Sequence, residues 1–201
     1  MRRTLATLLV VVVALGASAL VYLKTTGLTT RQAPSGLETR VARAARWFAV
    51  PRAVRDMSNP IATSPEILAE GRAHYADHCA SCHANDGSGN TEMGRAFFPP
   101  APDMRTVSQD LTDGELFYAI EQGIRFTGMP AWGTGTPEGV AASWHLVHFI
   151  RHLPQVTPEE VEEMAAMNPR SPAELRQDIE AERFLQGDDP AVIEAAPPHV
   201  H

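Results

Sequence analysis

The only two cysteines of this 201-residue chain, Cys79 and Cys82, stand three positions apart, and His83 follows the second directly. That placement restricts what can hold such a chain together. A disulfide scaffold spreads several cysteine pairs along the sequence, and a zinc ribbon needs a second ligand pair of similar spacing; the sequence offers neither. The pair must serve something local: a buried thiol pair, a redox couple, or the attachment of a group that rests against His83.

Charge divides the chain unevenly. Residues 1 to 56 hold nine Lys and Arg against two acids, Glu38 and Asp56, whereas residues 57 to 201 hold eight Arg against 22 acids. The larger, acidic part lacks the basic footprint that nucleic-acid binding requires, so no nucleic-acid partner is expected. From Thr4 to Leu23 there is no charged residue. At about 1.5 Å per residue, a helix of that length spans the hydrocarbon core of a bilayer. Arg2 and Arg3 precede it, which keeps the N-terminus cytoplasmic and exports the rest of the chain. Residues 1 to 23 read as a transmembrane anchor or, with Ala17-Ser18-Ala19 as the cleavage site, as a signal sequence. The apolar run continues past Ala19 to Leu23, which favours the anchor. Both readings place the remainder in the periplasm or an equivalent exported space, beside the inner (cytoplasmic) membrane.

Residues 24 to 63 read as a tether. Within it, Leu37, Val41, Ala44 and Phe48 recur at helical spacing with Arg40, Arg43 and Arg46 beside them, which predicts a short basic helix. Such a helix can rest on anionic lipid, or pack on the main domain with a solvated outer face. Ser64-Pro65 then opens a helix running to about His78, Thr112 and Glu115 form a capping box with Gly123 as the stop, and Thr136-Pro137 opens a helix ending near Leu153. On the last of these, Leu146, Phe149, Ile150 and Leu153 share the core face. Residues 83 to 111, rich in Gly, Pro, Asn and Asp, read as loop, and there is no convincing strand. Residues 64 to 154 therefore predict an all-α domain whose long loop needs an object to wrap around. Residues 155 to 201 come after it as an acidic helical appendage and tail, with helices capped by Thr157/Glu160 and Ser171/Glu174.

Cys79-Ala80-Ser81-Cys82-His83 matches the attachment signal of a c-type haem. One turn of chain sets two sulfurs near the two vinyl groups of a porphyrin, and the next residue, His83, lies under the ring where its imidazole can bind iron. A sixth ligand must come from elsewhere or the position stays open. Methionine there raises the reduction potential, and the chain offers Met93, Met104 and Met129. Met129 stands in Thr127-Gly128-Met129-Pro130-Ala131-Trp132 between two predicted helices, where Gly128 and Pro130 restrict the backbone and can aim the thioether inward. Other histidines invite a metal reading, namely the stripe His145, His148 and His152 and the tail pair His199 and His201, but a solvated stripe is the default. His74 and His78 face solvent or the edge of the site.

Residues 64 to 153 resemble the class I monohaem cytochrome c family, in which a helix leads into Cys-x-x-Cys-His and is followed by a loop, a helix, a Met-Pro loop and a closing helix. Gly71 and Tyr75 match the positions where the terminal helices of that family cross closely, and Phe149 matches the aromatic of the closing helix. Pro99-Pro100-Ala101-Pro102 resembles the loop whose carbonyl holds the proximal histidine. The resemblance implies one covalent haem c at Cys79 and Cys82 with His83 and Met129 as axial ligands, used for one-electron transfer. The expected protein is a membrane-tethered electron carrier between redox complexes, with membrane respiratory complexes as partners. The alternatives are a haem-bearing electron-entry subunit of a larger oxidoreductase, or a haem- or metal-binding module. No second cofactor motif, acid/base pair or nucleophile constellation points to catalysis by this chain alone.

Overall fold

A computed structural model describes residues 2–27, 29, 31, 33–170 and 172–186. Helix α1, Arg2–Thr26, is the one helix among them long and apolar enough to cross a membrane, and none of it is buried against the rest of the chain. Helix α2, Gly36–Ala49, starts at a capping box formed by Ser35 and Glu38, and α3, Arg52–Arg55, comes after Pro51. Helix α4, Pro65–His74, begins at the Ser64 cap with Pro65 in its first turn. It passes through a π-helical turn, Tyr75–Cys79, into α5, Ala80–His83. The helix expected to stop near His78 thus carries on through His83. The wider turn is closed by the amide of Ala80 on the carbonyl of Tyr75, a local unwinding of the kind often found at functional sites.

The stretch expected to be loop contains α6, Glu92–Ala96, and a 3-10 turn at Val107–Asp110. Helix α7, Asp113–Gln122, carries the Thr112/Glu115 capping box and stops at Gly123, whose φ of +66° suits glycine. Helix α8, Pro137–His152, starts at Thr136, and α9, Pro158–Ala165, at a Thr157/Glu160 capping box. Helix α10 spans Pro172–Leu185; its expected cap, Ser171, lies outside the described residues. No strand occurs among the described residues.

The core forms where α4 crosses α8. A β-carbon on Gly71 would overlap the carbonyl of His145 and lie 3.1 Å from Cβ of Phe149, so only glycine permits this approach. One turn on, Tyr75 sets its ring 5.2 Å from that of Phe149. The stripe of Leu146, Phe149, Ile150 and Leu153 is buried throughout, as its spacing predicts. Helix α7 closes the group, with Phe117 stacked on Trp144 at 4.2 Å and Ser143 donating to Glu121 Oε1 at 2.6 Å.

Both flanks pack on this core. Gly114 leaves room for the Val54 carbonyl, and Thr112 Oγ1 donates to the Arg55 carbonyl at 2.8 Å. Asn59 Nδ2 donates to the Trp144 carbonyl at 2.9 Å, and the Ile61 carbonyl lies 2.7 Å from His148 Nε2. The expected tether is therefore docked from Val50 onward, because its backbone groups find partners on α7 and α8. At the other end, α9 buries Met164 completely in the core, with Val156 and Val161 beside it. Arg72 on α4 pairs with Glu160 at 3.2 Å and Glu163 at 2.9 Å, which fixes α9 across the outer side of α4.

Two outcomes are expected from this packing. Overpacking a tight crossing costs about 1–3 kcal/mol, so Gly71→Ala should lower the urea midpoint of unfolding followed by circular dichroism. Gly36→Ala, where open space surrounds the added carbon, should not. The second concerns Glu160. Burial alone would raise its carboxyl, but bonds from His152 and from the Thr157 amide, together with the charge of Arg72, outweigh burial and hold it below its ordinary 4.5. A carboxyl depressed in the folded state stabilises above that ordinary value and loses the effect as pH falls below it. Protection factors of α9 amides, with the intrinsic pH dependence of exchange divided out, should therefore fall on acidification below pH 4.5, and Glu160→Gln should flatten that acid dependence.

Candidate haem-binding site

The Cys79–His83 turn is held from three directions. Tyr75, fully buried, donates its hydroxyl to the Ala84 carbonyl at 3.1 Å, and the Gly89 amide donates to the His83 carbonyl at 2.8 Å. These two bonds hold Ala84 at a φ of +62°, an uncommon conformation for a residue with a β-carbon, and so turn the chain sharply away after His83. Thr91 caps α6 through the Gly94 amide and donates its own hydroxyl to the Cys82 carbonyl at 3.1 Å. Gly94 lies so close to that same carbonyl that no side chain would fit.

The next loop is folded back by backbone bonds, Ala101 to Gly94 and Met104 to Gly87, each 2.8 Å. Gly89, with φ +71°, sits against the Ala101 and Pro102 carbonyls. Asp103 accepts from Arg105 at 2.7 and 3.0 Å, and Arg105 reaches Asp86 at 3.5 Å, joining the two ends of the loop. The Arg105 bonds hold the Asp103 carboxyl below its ordinary value. This folding brings the Pro102 carbonyl beside the His83 imidazole, in the loop that resembles the family's histidine-holding one.

Burial lowers the pKa of His83, and the Pro102 carbonyl works in the opposite direction. The contact falls short of hydrogen-bond geometry, so Nδ1 is buried without a partner. A buried polar atom left in that state is costly unless something else engages the ring. Cys79 and Cys82 are not joined by a disulfide. Burial, then the neighbouring Cys82, pushes the Cys79 thiol up to about 12. A redox couple of this spacing works through a stabilised thiolate, so that reading of the pair loses support.

The three methionines fall in different surroundings. Met104 packs against the core with its sulfur 3.9 Å from the Tyr75 hydroxyl, while Met93 is exposed. Met129 is half-buried in a loop tied to the end of α7: its amide donates to Thr127 Oγ1 at 3.1 Å, and its carbonyl accepts from the Ile124 amide at 3.1 Å. A β-carbon on Gly128 would stand 2.6 Å from the Phe97 ring, so Phe97 lies directly on this loop. Trp132 meets His78 edge-on at 5.0 Å. The loop carrying Met129 thus bridges the segment after α6 and the turn that leads into Cys79.

The histidine stripe of α8 is engaged otherwise. His145 lies 2.9 Å from Glu70, His148 meets the Ile61 carbonyl, and His152 pairs with Glu160 at 3.0 Å. No cluster able to hold a metal ion occurs among the described residues, and His199 and His201 lie outside them. Sequence reasoning missed Thr91, Gly94 and Phe97. Thr91 before Glu92 was a readable helix cap, but nothing in the sequence tied it to Cys82.

Residues 66–150 match the family described as cytochrome c oxidase, cbb3-type, subunit III. Residues 66 to 150 form a c-type cytochrome domain. The cbb3-type cytochrome c oxidase subunits FixP of Sinorhizobium medicae (strain WSM419) and Rhizobium meliloti (strain 1021) are each 34% identical to the chain over 71 residues. That stretch is 35% of this chain and 22% of either relative, so the chain matches about a fifth of their length.

Cytochromes of this type carry covalent haem c, and the residues of this cytochrome domain fit one. Two thiols one turn apart with a buried imidazole directly after them would hold it, and the loop that carries Met129 touches the preceding turn through Trp132 and His78. Cys79→Ala or Cys82→Ala should leave at most one thioether, and the double change none. Haem-peroxidase staining after denaturing electrophoresis checks this: stain should persist weakly in the single variants and vanish in the double one.

Proposed function

We propose that this cytochrome is a membrane-tethered one-electron carrier holding one haem c through Cys79 and Cys82, with His83 and Met129 as the axial ligands. The haem supplies a reversible one-electron iron couple; the chain holds it, orients it and limits water around it. The observation that carries the reading is the buried His83 ring with its unpaired Nδ1 beside the Pro102 carbonyl. A ring so placed would hold iron through Nε2 and leave Nδ1 for the Pro102 carbonyl, and such a partner raises ligand basicity and fixes the ring plane. The single attachment motif supports one haem.

Met129 is favoured over its competitors by their surroundings, since Met104 is committed to the core beside Tyr75 and Met93 faces solvent. A methionine ligand raises the potential and leaves no open iron position, which suits a carrier better than a sensor or a peroxidase. A periplasmic placement of the domain rests on Arg2 and Arg3 directly ahead of the apolar run. Phe126 and Trp132 are exposed on the Met129 loop, in a part of the chain that carries 22 acids against eight Arg from residue 57 on. Such a charge balance favours a respiratory partner that presents a basic face, with charge acting chiefly on the association rate.

The family match favours a second form of the same reading, in which the chain is the electron-entry subunit of a membrane oxidase. Gentle detergent extraction separates the two: a subunit co-migrates with an oxygen-reducing complex, and a carrier migrates alone. The axial assignment is tested by Met129→Ala. That change should lower the potential by a sizeable fraction of the roughly 0.8 V that axial ligands span, abolish the weak near-infrared sulfur-to-iron band, and admit carbon monoxide to the reduced iron. Met93→Ala and Met104→Ala should keep both the band and the potential. An unchanged Met129→Ala spectrum means that the sixth ligand lies elsewhere.

A further inference from the structure

We propose that α2 lies on the surface of an anionic bilayer, with Leu37, Val41, Ala44 and Phe48 entered among the lipid. The sequence left two destinations open for this helix, lipid or the main domain, and the structure removes the second. Helix α2 is joined to the rest of the chain through Trp47, about 90° around the helix from the middle of the stripe. Arg55 stacks its guanidinium on the Trp47 ring at 4.1 Å and donates to the carbonyls of Trp47 and Val50. The same Arg55 lies 3.7 Å from Glu115 on α7, so one side chain latches α2 to the cytochrome domain.

The apolar stripe is turned outward by that latch. Leu37 is 70% exposed, Val41 60% and Phe48 84%, and no described residue covers them. At 100° per residue these positions and Ala44 fall within one narrow arc. Arg40, Arg43 and Arg46 fall along one flank of that arc with Trp47 among them, and the other flank holds Glu38, Ala42, Ala45 and Ala49. The one acid of the helix, Glu38, is engaged in its own cap, accepting from the Ser35 amide at 2.6 Å. A short helix with an apolar stripe, a polar face rich in arginine and a capped start has the makeup of an interfacial helix.

Two further observations select lipid as the occupant. Only nine residues, 27 to 35, separate the end of α1 from α2. Fully extended they reach about 30 Å, so α2 cannot leave the neighbourhood of a bilayer that α1 crosses. Lys24, Arg31, Arg40, Arg43, Arg46 and Arg52 concentrate positive charge along this stretch, against an acidic remainder of the chain. Anionic headgroups attract such a juxtamembrane segment. The proposal rests on α1 as a membrane anchor, and it changes what the tether does. Docking of α2 would hold the haem domain at a set height and orientation over the lipid, with residues 27 to 35 as the whole span between anchor and docked helix.

The test uses the full haem-loaded chain in phosphatidylcholine vesicles with and without phosphatidylglycerol. Since Cys79 and Cys82 are consumed by haem attachment, one added cysteine can carry a nitroxide: Leu37→Cys, Val41→Cys, Arg43→Cys or Arg46→Cys, one at a time. Collision rates with oxygen and with a water-soluble nickel chelate report depth. Positions 37 and 41 should show an oxygen-to-nickel ratio several-fold above that of 43 and 46 in phosphatidylglycerol vesicles. The contrast should shrink without the anionic lipid or in high salt. Equal ratios at all four positions would mean a solvated helix and end the proposal. Protection at 37 and 41 that ignores lipid charge and salt would assign the stripe to protein. Spin–spin broadening that disappears on dilution with unlabelled chain would assign it to a second copy. Resistance of the vesicle-bound chain to alkaline carbonate reports α1 separately, so loss of the anchor is distinguishable from loss of the α2 contact.

Discussion

Where α4 crosses α8, the His145 carbonyl occupies space that any β-carbon at position 71 would fill, and the two backbones lie in direct contact. This approach sets the position of the rest. It carries Tyr75 one turn further onto Phe149, and Tyr75, once buried there, projects its hydroxyl onto Ala84, just past the site. Burial is the first reason that the Tyr75 phenol is held far above its usual range, with Cys79, Asp86 and Asp103 adding to it. It therefore stays a proton donor at any physiological pH, and the turn after His83 keeps its anchor. A crossing of two helices is converted into the aim of one imidazole.

The site itself is made of groups that the protein leaves incompletely engaged. The His83 nitrogen has a carbonyl beside it but no bond of good geometry, and two thiols stand unpaired on one turn. Everything around them is, by contrast, closely tied: Cys82 by Thr91, His83 by Gly89, the Met129 loop by Thr127 and Ile124. Rigid surroundings with unmet donors at the centre are what a prosthetic group needs, because little ordering remains to be done when it binds.

The flanks decide how this unit meets its environment. Helix α3 and the segment to Ile61 seal one side, and α9 seals another through Met164 and the Arg72 pairs. Part of the stretch read as a tether and part of the appendage thus pack on the domain. Arg55 stands at the junction of the anchor side and the core, contacting Trp47, Val50 and Glu115 at once. One side chain thus ties the end of α2 to the cytochrome domain.

Much of this was legible in the chain itself. Caps at Ser64, Thr112, Thr136 and Thr157 fixed where four helices begin, since a capping hydroxyl acts on amides two or three residues away. The apolar stripe of α8 could be read from its period, and Cys79, Cys82 and His83 were found together because their chemistry requires adjacency in sequence. What the sequence could not state was anything that depends on groups far apart along it. The π turn at Tyr75–Cys79, the Thr91 bond to Cys82, the Phe97 ring on Gly128 and the burial of Met164 all join residues whose partners are chosen by packing. A capping box is a local equilibrium of a few torsions and one or two bonds, so its residues announce it. A tertiary contact exists only after the helices have crossed, and Gly71, one glycine among 14, could be placed at that crossing beforehand only through the family resemblance, not through any local signal.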